Sequence, residues 1–344
     1  MNSKVIDELR DVAKRIVHAS GALSAYHRLR NQRWLTTLIF HRVLPRSDPR
    51  FDESDPEWTI TVDQLVDSVR FAKRHFNVVS LEEVLDARRR RKRLPARPLL
   101  MTFDDGWADN EEYALPVFEA ERVPGVIFVT SDAVGAKAPF WFEVIRAARI
   151  GGRIDADTWS GLWAGLGKPA PVDRTRRDVE DLVGHLAKLP RVRRDAILEP
   201  FRTRLEDGRR HMVTAAQLQR LHTRGITVGA HGRTHQPLAS CEDLDDELRE
   251  PRRRLAELLG GPVTTLALPH SRGTPEVMRR AEAAGYELVF TGGRSMTGTS
   301  DLPFAIGRAA ITTDGLATDG MRLRSERLAL YLFRCRHHAT NGSA

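Results

Sequence analysis

Cysteine is almost missing from this chain: Cys241 and Cys335 are the only two in 344 residues, and they form no C-x-x-C pattern. A disulfide framework and a cysteine-built zinc knuckle are therefore excluded, and a reducing compartment suits the protein. Long apolar runs are missing too, since no stretch reaches the roughly eighteen consecutive apolar residues of a membrane-spanning helix. The opening Met-Asn-Ser-Lys-Val-Ile-Asp-Glu lacks the unbroken apolar stretch of a secretory signal, so the expected location is the cytoplasm. Internal repeats and low-complexity tracts are absent, which sets a solenoid aside. What remains is 41% hydrophobic and 29% charged, the composition of a soluble globular protein with one large core or two modest ones.

The formal charge is +8, and its densest patch is Arg88-Arg89-Arg90-Arg91-Lys92-Arg93. That run ends a predicted helix starting near Leu81 and precedes Pro95 and Pro98, a position where cations complement the negative end of the helix dipole. It reads as a solvated helix end, and no nucleic-acid partner is expected. Residues 1–33 form a second basic feature, an amphipathic helical segment with Val5, Leu9, Val12 and Ile16 on one face and Lys4, Arg10, Lys14 and Arg15 elsewhere. The segment is expected to pack on the main domain. A weak, peripheral association with an anionic membrane surface is the second reading, disfavoured by the lack of an aromatic anchor on that face.

From Leu35 onward, short β-rich apolar runs alternate with helical stretches, the pattern of an α/β fold with a parallel sheet or barrel and covering helices. Strands are expected at Leu35 to Phe40, Asn77 to Ser80, Leu99 to Phe103, Val126 to Thr130, Ile226 to Ala230, Thr264 to Leu268, Leu288 to Thr291 and Ala305 to Ile311. Helices are expected at Val62 to His75, Leu81 to Arg90, Glu111 to Glu121, Ala215 to Arg224, Leu244 to Leu259 and Pro275 to Ala284, with Thr214 and Thr274 as N-caps. The alternation lapses over residues 137–211, read as a helical insertion whose Trp141, Trp159 and Trp163 serve either to contact sugar or to close a small helical subdomain. The barrel is thus placed at 34–318, and 319–344 is left as a basic tail.

Three strand ends carry the chemistry. The buried run Leu99 to Phe103 delivers Asp104 and Asp105, followed by Gly106 for a sharp turn. Two adjacent carboxylates in a confined site call for a cation or strong hydrogen bonds to offset their repulsion, although Asp-Asp-Gly is also a common turn sequence. The strand Ile226 to Ala230 ends in His231-x-x-x-His235, and imidazoles are common metal ligands. In a β/α barrel both groups reach the same rim, where one carboxylate and two imidazoles make a recognised catalytic metal site. His41 ends the first strand at that rim, as a proton donor or a backbone-bonded residue. His270 follows Pro269 at a later strand end, where it lines the cleft or shapes a turn, and Arg308 could grip a carboxylate bidentately or form an ordinary salt bridge. Trp107, His270 and Arg308 are expected on the substrate side.

With Thr102-Phe103-Asp104-Asp105-Gly106, His231-x-x-x-His235, Leu268-Pro269-His270 and Ile306-Gly307-Arg308 in this order, the chain resembles the polysaccharide deacetylases of the NodB-homology type, carbohydrate esterase family 4. Phe40-His41-Arg42-Val43 is similar to the Tyr-His-Arg-Val of the exopolysaccharide-modifying branch. The resemblance implies a deformed β/α barrel of fewer than eight regular strands and hydrolysis of an acetamide or acetyl ester on a bacterial polysaccharide or its sugar precursor. It implies that Asp105, His231 and His235 hold a divalent metal, zinc first with cobalt or nickel as alternatives, that Asp104 is the general base and that His41 is the acid. The alternative is a catalytically silent carbohydrate-binding relative. Gly232 stands where the family has Ser or Thr, and Leu268-Pro269-His270-Ser271 replaces Pro-Tyr-Gly. No Asp-x-x-Asp-Trp motif follows, so another group must orient the base or activity is weak. The oligomeric state is unassigned.

Overall fold

Eight short strands build the frame of the molecule: β1 (Trp34–Phe40), β2 (Pro98–Phe103), β3 (Gly125–Val129), β4 (Ile226–Ala230), β5 (Thr265–Ala267), β6 (Leu288–Thr291), β7 (Ala305–Gly307) and β8 (Ala309–Ala310). In this computed structural model, which describes the backbone of residues 3–313, 316–318 and 322–338 and side chains from Asp11 onward except Thr318, β1 through β7 pair in sequence order and all in parallel. The β8 strand returns to β1 through Leu38 opposite Ala309 and Ile39 opposite Ala310. The barrel therefore closes through Arg308, the single residue between β7 and β8. The continuous strand expected over Ala305 to Ile311 is split at that point, because one half pairs with β6 and the other with β1. The Asn77–Val78 strand lies against the start of β2, and Ser295–Gly298 lies antiparallel to the start of β1, so the barrel is deformed at its N-terminal end.

Strand periodicity decides which side chains enter the barrel. Leu35, Leu100, Val126, Phe128, Ala267, Leu288, Phe290 and Ile306 fill the interior. Their neighbours Leu38, Phe40, Leu99, Met101, Phe103, Ile127, Val129 and Val289 pack against the helices outside. Both faces are buried, which is why these strands read as unbroken apolar runs. Counting in steps of two from the interior residues leads to His41 after β1, Asp104 after β2 and Arg308 after β7. On β4 the inward position is Gly229, where an added Cβ would meet the Phe128 ring at 2.5 Å, and two residues on stands His231. Four polar groups are thereby delivered to the C-terminal rim by register alone.

The helices Val62–His75, Leu81–Arg88, Ala215–Thr223, Leu244–Leu259 and Pro275–Ala283 cover the barrel. Thr214 and Thr274 cap their helices as expected, and Thr61 and Ser80 form capping boxes with Gln64 and Glu83. The helix expected at Glu111 to Glu121 opens instead with a wide π turn over Asn110–Ala114. That turn brings the Asn110 side-chain amide to the His41 carbonyl at 2.9 Å.

The insertion folds as helices Trp141–Ile150, Ala156–Gly165, Arg176–Ala187 and Arg191–Leu198 around its own core of Ile145, Trp159, Leu162, Trp163, Leu182 and Leu186. Trp159 and Trp163 are buried in that core, and Trp141 lies under the Arg194 guanidinium at 4.8 Å, so the tryptophans close the subdomain.

Both ends of the chain depart from expectation. Part of the segment read as a tail is built into the body: the helix Ser325–Phe333 buries Leu328, Ala329, Leu332 and Phe333, and Arg336–His338 pairs with Ser295–Gly298. Residues 319–321 and 339–344 lie outside the described residues. At the N-terminus, helices Ser3–Ala19 and Ala22–Arg30 do form, but Asp11 turns inward to Arg324 and Arg327 while Val12 and Ile16 face solvent. The segment packs on the main domain as expected, but through Asp11, and the described apolar side chains Val12 and Ile16 are left outside that contact. The side chains of Lys4, Val5, Leu9 and Arg10 lie outside the described residues. Among the described residues no helix is long and apolar enough to cross a membrane.

Candidate active site

At the rim, Asp105, His231 and His235 place their ligand atoms within 4.8 Å of one another. The Asp105 Oδ1 lies 3.3 Å from His231 Nε2 and 3.1 Å from His235 Nε2. The His231 Nδ1–H donates to the Ala267 carbonyl at 2.9 Å, which fixes the tautomer and leaves Nε2 as the free lone pair. The Trp107 indole N–H donates to Asp105 Oδ2 at 2.9 Å, so only Oδ1 is turned to the imidazoles. One carboxylate oxygen and two ring nitrogens aimed at one point, each turned by a hydrogen bond or by packing, fit a divalent metal ion. The His235 Nδ1 is the exception: it is buried without a protein partner among the described residues, its ring stacked on Phe140 at 4.2 Å.

Backbone strain gathers at the same place. Asp105, His235, His270 and Ser271 all have positive φ, between 55° and 79°, a region that costs free energy for residues with a side chain. Gly232 is also left-handed, at φ 70°, and a Cβ there would come within 3.1 Å of the Glu247 carboxylate. That carboxylate accepts the Arg233 N–H at 2.8 Å and the Thr234 N–H at 3.1 Å, and the Thr234 hydroxyl as well. Glycine at 232 thus makes room for the buried group that shapes the loop before His235.

Asp104 lives in different surroundings. Arg308 grips it with two charge-assisted bonds of 2.7 Å, and also donates to the Thr102 hydroxyl at 3.1 Å. Burial pushes the Asp104 carboxyl up, but the Arg308 charge and then His231 outweigh it and hold it below its ordinary range. For Asp105 burial is likewise outweighed, here by the His231 and His235 imidazoles set against it, and its carboxyl sits well below the ordinary range. His41 is shifted downward, burial being the main cause and the two aspartates opposing it. Its ring lies 4.6 Å from Trp58.

Two residues expected at the substrate are behind the carboxylates instead. Arg308 is 1% exposed and committed to Asp104, its guanidinium over the Phe128 and Phe290 rings, so no face is left for a ligand. Trp107 is buried between Asp105 and Arg42, whose guanidinium stands 4.3 Å above the indole. His270 does stand exposed at the rim, its ring 4.8 Å from His235.

Other members of the site had no role assigned from the sequence, although Arg42 belongs to the Phe40-His41-Arg42-Val43 run. Arg42 is held by Asp109 at 3.0 Å and Ser54 at 2.8 Å, and Asp109 also accepts the Val43 N–H at 2.9 Å. A chain of contacts thus runs from Asp109 through Arg42 and Trp107 to Asp105. On the open side, Phe140 and Phe142 bring the leading edge of the insertion against His235, and Phe142 lies 6.0 Å from His270. Glu143 follows them, its carboxyl pushed up to about 7 by burial despite its bond to Arg146.

The model of the polysaccharide deacetylase family matches residues 91–196 and 201–289, more than half of the chain. No curated protein is similar enough in sequence to be matched. Among solved structures, the chain is similar to the deacetylase PplD of Streptococcus pyogenes in complex with acetate, at 14% identity and TM-score 0.55 over 88% of this chain and 99% of that one. IcaB from Ammonifex degensii aligns at 19% identity and TM-score 0.55, over 88% and 97% of the two chains. The deacetylase domain of BpsB from Bordetella bronchiseptica aligns at 17% identity and TM-score 0.51, over 81% and 96%. At these identities the likeness is one of fold, and it extends over nearly all of each neighbour.

Proposed function

Because this chain belongs to the polysaccharide deacetylase family, we propose that it removes N- or O-linked acetyl groups from a bacterial polysaccharide or its sugar precursor, with a divalent metal held by Asp105, His231 and His235. The observation that carries this reading is the separation of two adjacent carboxylates into different hydrogen-bond networks, Asp105 with the imidazoles and Asp104 with Arg308. A carboxylate and two imidazoles with open positions suit zinc, with cobalt or nickel as alternatives. When bound, such an ion supplies Lewis-acid polarisation of the acetyl carbonyl and a lowered pKa for the attacking water.

The residues of the chain do the rest. Asp104, ionised at neutral pH, accepts the proton of the attacking water; Arg308 occupies one lone pair on each oxygen and leaves the others open. With no Asp-x-x-Asp-Trp motif in the chain, Arg308 is the group that orients this base. His41 is neutral in the resting site, so as acid it passes on a proton that the reaction itself has released, to the leaving amine or alcohol. Pro269 has no N–H and that of Ser271 is bound to the Leu268 carbonyl, so His270 is the donor of that turn assigned to the developing oxyanion. Phe140, Phe142 and the exposed His270 are the surfaces assigned to the acetyl group and sugar ring.

The test is acetate release from N-acetylglucosamine oligomers and from O-acetylated glycans. Release that stops on chelation and returns with zinc supports the proposal. Glycan binding that survives chelation, with no acetate from any of these substrates, supports a silent carbohydrate-binding protein instead.

A further inference from the structure

The N-terminal helix is mounted the wrong way round for a helix that serves only to cover a core. Its polar side faces the protein, with Asp11 bonded to Lys14 and Arg327, and Arg324 nearby. Among its described residues the apolar side faces water, with Val12 48%, Ile16 64% and Val17 43% exposed. The following helix adds Tyr26 at 41% and Leu29 at 83%. These are five of the eight large apolar side chains exposed among the described residues, gathered within one helical pair, while Ile150, Val172 and Val192 are scattered over the insertion. Single exposed apolar residues need no explanation, but a concentration of them marks a surface that something covers.

We infer that this helical pair docks on an anionic lipid surface. Residues 1–33 hold seven Lys or Arg against three Asp or Glu, and Arg15, Arg28 and Arg33 are exposed. An apolar stripe with cations beside it is the pattern of a helix lying in the plane of a bilayer interface, its apolar face in the acyl boundary and its cations among the phosphates. A second copy of the chain is the weaker occupant, because five side chains fall far short of the roughly 20–30 residues a side of a standard protein interface. Like-charged surfaces would also meet. The Tyr26 ring, exposed beside Arg30 at 5.6 Å, supplies an interfacial aromatic that the first helix lacks.

The experiment is flotation of the full chain with vesicles of phosphatidylcholine alone and of phosphatidylcholine mixed with phosphatidylglycerol. The protein is expected to float with the anionic vesicles only, and less as salt is raised. Ile16→Glu and Leu29→Glu should each weaken the partition by about tenfold or more, with circular dichroism and acetate release from a soluble substrate unchanged. Two results overturn the inference: protein that stays at the bottom of the gradient with anionic vesicles, or variants that float as well as the parent. Dimerisation in sedimentation that Ile16→Glu abolishes, without flotation, would assign the face to a second copy. The inference stands apart from the proposed activity, because flotation needs no turnover.

Discussion

Asp104 and Arg308 come from positions 204 residues apart and meet with both oxygens and both terminal nitrogens engaged. Without Arg308 the Asp104 carboxylate is buried with no guanidinium to offset burial, so its pKa rises and its orientation is lost. Arg308→Met should lower kcat by at least about 10²-fold with metal stoichiometry unchanged, and Arg308→Lys should recover little, since an ammonium cannot make the paired bonds. Unchanged turnover in the Met variant would remove Arg308 from the mechanism. The contacts from Asp109 through Arg42 to Trp107 act on the other carboxylate. Arg42→Met or Trp107→Phe should therefore weaken zinc affinity roughly 10–100-fold, read by competition with a chromophoric chelator. The aspartate pair and the histidine pair were legible as residues because each directly follows a strand. Arg42, Asp109 and Glu247 were not, because their roles depend on contacts across 67, 66 and 14 positions. The bidentate grip read for Arg308 is present, but on Asp104, and both it and Trp107 stand behind the carboxylates because nothing local says which neighbour an aromatic ring or a guanidinium will find.

Strand and helix elements were largely readable, since Ile226–Ala230, Leu288–Thr291, Val62–His75 and Leu244–Leu259 have the bounds expected of them. The β7–β8 break was not, because two segments of one run pair with different neighbours and only barrel closure reveals it. The insertion was recognisable by its lapse in alternation, but its contribution to the site comes from Phe140 and Phe142 and not from the tryptophans that drew attention. Phe142→Ala is expected to raise KM for a glycan severalfold while leaving hydrolysis of a small acetyl ester nearly intact; an equal loss on both substrates would make Phe142 a support for His235 only. The docking of the terminal helices carries a pH dependence. His27 is buried against Phe333 at 4.1 Å, accepts from the Asn31 amide on Nδ1 and donates to the His75 carbonyl from Nε2. Burial lowers its pKa from 6.5 to about 4, and does the same for His211. Between those values the unfolded chain binds more protons, so stability is full above about pH 6.5 and falls toward pH 4, by roughly 2 kcal/mol per histidine at about pH 5. Urea midpoints at the two ends of this range measure the loss, and a His27→Gln variant should show less of it.

The parallel barrel brings one rim of polar side chains into a strained site and leaves much of the basic charge elsewhere. The arginine run at 88–93 is engaged with Glu82, Asp86, Glu287 and Asp301, as a solvated helix end would be. Asp105, His231 and His235 lie within the family-matched segments, whereas His41 and Arg308 lie outside them, directly beside the strands that close the barrel. The proposed chemistry therefore depends on closure, which joins the residues typical of the family to those supplied by the chain's flanks. Its central claim is that two adjacent aspartates do different work. Acetate release by zinc-loaded Asp104→Asn tests it most directly. The account predicts one equivalent of zinc bound and acetate release abolished, and acetate release near that of the parent enzyme would contradict it.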